Sequence, residues 1–352
     1  MSRGWQVAAL VVALAAVLAL AGCGGDKDGK EGDKGAAVDE KIVIKYTHSA
    51  GTAMTDPHQA AALKFKESVE KATEGRVEVQ IFPAGQLGSE QKGFQDVQQQ
   101  IVQATSLAVN NASVFSPSLG VFDLPYLFKD RDEFYTVIDE NWDDINQLMA
   151  EESGNVAIAW LEQGFRVLTN SKKPVNTMAD LKGLKIRVPV NPIMVETFKA
   201  WDCEPVPIAW DETFNALQQK VVDGQENPYP VIATNKFYEV QKYVTDIHYK
   251  MWVGPVVVNE QWLKSQPADV QEAIIQAGRD ATMDNRALMQ KMDQETLDLL
   301  KEKGMILSGT PEDEDQWMKN AMSIWPKFYD TIGDVRLLDQ MMNTLGREKP
   351  TA

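Results

Sequence analysis

Arg187 is the residue in this chain whose type and setting point most directly to binding chemistry. In GLKIRVP, Leu184, Ile186 and Val188 alternate with Lys185 and Arg187, the period of a half-buried strand. Pro189 cannot donate to a sheet ladder, so the strand should stop there with Arg187 near its end. No Asp or Glu follows Arg187 within six residues, so it has no local partner. A guanidinium at a strand end is a permanent cation with a planar fork of donors that matches a carboxylate. On these residues alone it is either an anion ligand or one half of a structural ion pair. The other chemistry-bearing residues fit catalysis poorly. The three histidines, His48, His58 and His248, show no HExxH spacing, there is no GxSxG elbow, and no two carboxylates are marked as a pair. A secreted hydrolase remains the rival class, which turnover of a bound ligand would revive.

The elements around Arg187 follow from pattern. Asp211 can cap a helix on which Phe214, Leu217 and Val221 share a face, with Asp223-Gly224 as its stop. Asn227-Pro228-Tyr229-Pro230 then restarts the chain, placing Asn227 beside a helix N-terminus, where free N–H groups favour anions. Upstream, KIVIKYT from Lys41 is a strand. Asp56-Pro57 opens a helix that ends at Gly75. Arg76 to Phe82 is a second strand, and Ser89 caps a helix to about Gln99. Strand, helix, strand, helix with short connections indicates an α/β sheet. Thr105 to Asn111 (TSLAVNN) is a further strand, and Asp132 to Ala150 a helix. Val156 to Trp160 and Arg166 to Thr169 are strands separated by Glu162-Gln163-Gly164, and Tyr243 to Val258 is a β-rich run. Pro267 to Lys303 holds 37 residues without internal proline and only Gly278 to weaken it. It would span roughly 55 Å as a helix, with Val270, Ile274, Ala277 and Ala281 as its buried stripe. The tail from Thr310 to Leu345 is helical, with Thr310-Pro311 as a cap.

Composition narrows the function further. At 352 residues, 44% hydrophobic and 24% charged, the chain can fill two ordinary cores. A net charge of −16 argues against a nucleic-acid partner, which needs clustered Lys and Arg. It also means that any anionic ligand must be attracted by local arginines against the global field. Val7 to Ala21 is an apolar run of signal-peptide length behind Arg3, and is short for a membrane span. It leads into Leu20-Ala21-Gly22-Cys23, which resembles a bacterial lipoprotein cleavage box with Cys23 as the lipidated residue. The alternative is an uncleaved anchor helix. Residues 24–40 are charged and glycine-rich, a flexible tether. Their acidic spacing hints at a calcium loop, but Glu31 stands where an EF-hand needs glycine. With Cys23 lipidated, Cys203 has no disulfide partner and is expected to be a buried small hydrophobe.

GLKIRVP, then ALQQKVVDGQENP, then KFYEVQKY resemble, in order and spacing, the extracytoplasmic solute-binding subunits of TRAP transporters, the C4-dicarboxylate-binding type. The likeness runs from about Ile42 to Trp325. It implies a two-domain α/β periplasmic binding protein fold of type II-like form, with a long helix crossing both domains. The implied division is residues 41–163 with 253–292 as the first domain and 164–252 with 293–352 as the second, after a signal peptide at 1–23. By the same resemblance the cleft ligands are Arg187, Arg166, Asn227, Trp210, Asn111 and Glu90. Arg187 would fix a carboxylate and Asn227 would offer donor and acceptor. Trp210 would wall off water, while Asn111 and Glu90 would read the ligand's other end. Each has a plainer alternative: Trp210 as core, Glu90 as a solvated helix start, Asn111 as a turn former. The implied partners are a small organic acid and a membrane permease, with the lipid as membrane anchor, and neither cofactor, metal nor catalytic residue is implied. The same fold would serve a receptor lipoprotein reporting to a sensor. One departure stands out: Asp202-Cys203-Glu204 replaces small residues before the Pro-x-Pro and would reshape the wall near Trp210.

Overall fold

The computed structural model describes residues 41–333 and 335–351; the expected signal segment, Cys23 and the tether lie outside the described residues. The described residues form one compact unit. The chain begins with β1 (Ile42–His48), α1 (Pro57–Ala72), β2 (Val77–Phe82), α2 (Glu90–Gln98), β3 (Ala104–Ser106) and α3 (Val109–Ala112). Then come α4 (Arg131–Ser153) and the long strand β4 (Asn155–Asn170). The next stretch holds β5 (Lys185–Val188), α5 (Pro192–Ala200), β6 (Glu204–Pro207), α6 (Trp210–Gln218), β7 (Gly224–Pro228) and α7 (Tyr229–Thr234). The chain closes with β8 (Tyr243–Thr245), β9 (Met251–Asn259), α8 (Glu260–Lys264), α9 (Ala268–Glu302), β10 (Ile306–Leu307), α10 (Glu314–Met322) and α11 (Val335–Thr344).

The strands run in the order β2-β1-β3-β9-β4-β7-β5-β6, with β8 and β10 pairing off this path. Strands β1, β2 and β3 are mutually parallel, as are β5, β6 and β7. Strands β4 and β9, antiparallel to each other, carry the sheet from one parallel group to the other. This arrangement is the mixed α/β architecture expected from the alternating pattern.

Strand β4 corrects the sequence reading. Glu162-Gln163-Gly164 does not separate two strands but lies inside one strand of 16 residues. It reads as a break because the ladder with β9 slips there, between Glu162 and Gly164, and again between Ala157 and Ala159. Bulges free backbone groups, and α9 satisfies them. Thr282 Oγ1 accepts from Trp160 N at 3.0 Å, and Asn285 Oδ1 accepts from Glu162 N at 2.8 Å. Helix α9 spans 35 residues, roughly 52 Å, and packs on α1, β4 and α7. Its stripe of Val270, Ile274, Ala277 and Ala281 is buried as its spacing required. Gly278, which looked like a weak point, is a contact requirement: a Cβ there would lie 2.1 Å from the Ile158 carbonyl oxygen.

Other boundaries moved for local reasons. Helix α6 ends at Gln218, not at Asp223. Lys220 takes a left-handed φ of 58°, and Val221 N returns to Ala216 O at 2.9 Å, a Schellman-type stop. Val221 is therefore exposed rather than on the buried face, and Asp211 sits in the first turn behind an Ala209 N-cap. The β-rich run from Tyr243 divides into β8 and β9. Thr310-Pro311 caps nothing, since α10 starts after Asp313. Asp56 and Ser89 do cap their helices, accepting from His58 N at 2.9 Å and Lys92 N at 3.3 Å. Cys203 is half-buried, packed against the cluster around Trp201, and burial pushes its thiol up to about 12. None of Asp202, Cys203 and Glu204 lines the cleft described below.

Candidate functional site

The carboxyl ends of both groups of parallel strands open on one cleft, the usual place for ligands in α/β sheets. Ser49 and Asp56 follow β1, Glu90 follows β2, and Asn111 follows β3; Arg187 and Asn227 end β5 and β7. All six residues expected from the sequence line the same inner cavity of about 40 Å³. It opens into an outer hollow of about 500 Å³ that shares Glu90, Asn111, Arg187 and Trp210, a size that admits a small molecule.

Arg187 stands between Val206 of β6 and Gln225 of β7. Its Nε donates to Ile208 O at 2.9 Å, and its Cζ lies 6.0 Å from the Trp210 ring centroid. The two Nη atoms have no protein acceptor among the described residues, although the residue is only 2% exposed. Burial pulls this guanidinium down to about 10, against the opposing charge of Glu226. It stays cationic at neutral pH with its charge only partly offset.

Arg166 is equally buried but differently held. Its Nε donates to the Glu226 carboxylate, and Nη2 donates to Glu226 Oε1 at 2.9 Å and Glu226 O at 3.2 Å. Tyr249 donates to the same carboxylate at 2.8 Å. Burial opposes the Arg166 charge, but the Glu226 carboxylate outweighs it and raises the pKa. Only Nη1 is left without a partner. Sequence reading gave Arg166 no partner, because Glu226 is 60 residues away. Asn227 gives one amide hydrogen to Gln225 Oε1 at 2.6 Å, leaving its second hydrogen and its oxygen for the cleft. Trp210 is half-buried, packs on Phe237 at 5.8 Å between centroids, and lines the cavity. It is both core and wall.

The opposite wall is built around Glu90, which accepts from Ser49 Oγ at 2.6 Å, Ala108 N at 3.0 Å and Asn111 Nδ2 at 2.6 Å. These bonds correct the expected strand through Asn111. Strand β3 has partners only to Ser106, and the Glu90 carboxylate takes the next inward N–H, starting the short helix α3 that carries Asn111. Sequence reasoning missed Ser49, Asp56, His58, Gln163 and Trp252, which also line the cavity. Asp56 was legible as a cap and is one, but its side chain also faces the cleft. Burial pushes Asp56 up to about 7, opposed by the His58 and Gln59 N–H groups and reinforced by Glu90. Burial takes His48 and His58 down to about 4. Among the described residues no three His, Cys, Asp or Glu side chains are placed to hold a metal. No helix of those residues is long and apolar enough to cross a membrane.

A cleft between two groups of parallel strands, with a buried and under-compensated arginine on one side and a held carboxylate on the other, defines a small-molecule binding protein. Comparison with known proteins places it more narrowly. The profile of the bacterial extracellular solute-binding protein family 7 matches residues 48–331. The chain is 31% identical over 72% of its length to the 2,3-diketo-L-gulonate-binding periplasmic protein YiaO of Escherichia coli, covering 77% of that protein. It is 39% identical to a TRAP periplasmic solute-binding protein of Rhodobacter sphaeroides solved in an open, ligand-free state, with a TM-score of 0.75 over 87% of this chain and 99% of that one. It is 29% identical to one from Shewanella oneidensis solved with succinate, with a TM-score of 0.79 over 86% and 99%. The chain belongs to this family of extracellular solute-binding proteins, and both of these solved structures are TRAP periplasmic solute-binding proteins. Its fold is their two-domain, type II-like α/β fold.

Proposed function

We propose that the cleft captures a small organic acid by one carboxylate and presents it to a membrane permease. The observation that carries this is Arg187: a buried guanidinium whose outer edge has no acceptor among the described residues and faces a cavity. A carboxylate there receives a two-pronged contact from Arg187, a further N–H from Arg166 Nη1, and the free amide hydrogen of Asn227. Trp210 excludes water from one side. The similar proteins include one named for a keto sugar acid and one solved with succinate, which share the carboxylate and little else.

The rest of the reading follows from binding without turnover. Arg187 and Glu90 hold and orient, and no cleft residue is assigned a catalytic step. The two halves move as lobes, residues 41–163 with 253–292 against 164–252 with 293–352, amended at one place. Helix α11 packs on α4 in the core of the first half and travels with it. Distance labels on the two lobes should draw together with saturating ligand. Outside the cytoplasm the chain is held to the membrane by lipid at Cys23, as the Leu20-Ala21-Gly22-Cys23 box supports. Cys23→Ser should then lose labelling by radioactive palmitate, and retained label would refute the anchor.

Thermal shift across organic acids, followed by calorimetry, tests the central claim. A ligand at 100 times its Kd should stabilise the protein by about 2.7 kcal/mol. Arg187→Ala should weaken it about 10²–10³-fold, and Arg187→Lys should not rescue the geometry. Unchanged affinity in Arg187→Ala would overturn the reading.

A further inference from the structure

If the cleft holds one carboxylate at Arg187, the remaining charges decide what the other end of that ligand can be. Among the described residues, Arg166 and Arg187 are the only cations lining the inner cavity and outer hollow. Arg166 is already committed to Glu226 through three hydrogen bonds, with Tyr249 completing that carboxylate. One free cation therefore faces the ligand. Against it stand Glu90 on the inner cavity and Asp211 on the outer hollow. Taking Arg166 with Glu226 and Arg187 with the ligand carboxylate, the charge on Glu90 is left over.

Glu90 is also arranged to accept. An ionised carboxylate offers about four lone-pair sites, and three are filled, by Ser49, Ala108 and Asn111. One position remains, and it takes a donor. Asp56 lines the same cavity, its Oδ1 taken by His58 N. A second ligand carboxylate would meet the Glu90 carboxylate and no free cation; like charges brought together inside an interface cost enough to exclude a partner. A hydroxyl or an ammonium would instead fill the open position on Glu90.

Resting on the carboxylate-capture reading above, we infer that this cleft selects monocarboxylates whose far end donates hydrogen bonds and rejects dicarboxylates. The similar proteins do not decide this, because one is named for a monocarboxylate and another was solved with a dicarboxylate. The selecting residue is Glu90, on the wall opposite the arginines.

A matched four-carbon set tests it on the purified chain: D-erythronate for hydroxyl donors, 4-aminobutyrate for an ammonium, succinate for a second carboxylate and butyrate for no polar end. At least one donor-bearing acid should bind tenfold or more tighter than both succinate and butyrate, and which one does so tells hydroxyl from ammonium. Glu90→Gln, whose amide can donate, should improve succinate about tenfold relative to that acid. Succinate binding as tightly as the donor-bearing acids, or a ratio unmoved by Glu90→Gln, would overturn the inference. If succinate is then lost in Arg187→Ala, carboxylate capture stands and only the selectivity fails. If no acid binds, or binding ignores Arg187→Ala, both fail.

Discussion

Arg166 and Arg187 are the same residue type, on strands of the same sheet, each 2% exposed, and both line one cavity. Their surroundings make them opposites. Arg166 is neutralised by Glu226 and fixed by it, so most of its donors are used inside the protein. Among the described residues Arg187 has one carbonyl partner and two unused nitrogens. On the proposed reading, what fits an arginine for a ligand is not burial alone but burial with its charge only partly offset. The same difference explains their pKa directions, raised for the first and lowered for the second. Each follows from whether a carboxylate offsets the loss of water.

The sharpest break of that comparison is Glu226→Ala. It strands the Arg166 charge in the interior, and loss of one partner of a buried pair typically destabilises by about 3–5 kcal/mol. Urea melts should show a loss of that order, and Arg166→Met with Glu226→Leu should recover most of it. A loss under about 1 kcal/mol would mean that the pair is solvated and the two arginines are alike.

The opposite wall obeys the same rule and can be read through pH. His48 and His58 sit at about 4, below their usual 6.5, so they stabilise the fold above 6.5 and lose that as pH falls toward 4. Asp56 runs the other way: raised from 3.8 to about 7, its contribution is present below 3.8 and is lost as pH rises through 7. Between about 4 and 6.5 the unfolded chain holds two extra imidazole protons and the folded chain one extra carboxyl proton. From these three groups the net of one proton corresponds to stability rising by about 1.4 kcal/mol per pH unit. Asp56→Asn, which keeps the cap, should steepen this to about 2.7 kcal/mol per unit. An unchanged slope would show Asp56 ionised in the fold.

The smallest effect is the complement of the first. Arg187→Ala removes an under-compensated cation at the expense of one hydrogen bond to Ile208 O. Its stability should stay within about 1 kcal/mol of the wild type. A destabilisation as large as that of Glu226→Ala would make Arg187 structural, whatever its effect on affinity.

By itself the sequence determined much of this protein. The alternation around Arg187 and the Pro189 stop set its strand, Asp56 and Ser89 set two helix starts, and the spacing of Val270, Ile274, Ala277 and Ala281 set the buried face of α9. These are short-range matters of period, capping and missing donors, written within a few residues of where they act. The family resemblance that the ordered motifs around Arg187 carry also brought the six cleft residues into view together. Only the tertiary structure decided what each of them does there. Glu226 reaches Arg166 across 60 positions, Glu90 reaches Ala108 across 18, and Asn285 reaches the β4 bulge across 123. A buried charge is governed by its nearest counter-charge and by the water it has lost. Both are properties of distance in space, which the folded sheet sets and the order of residues along the chain does not record.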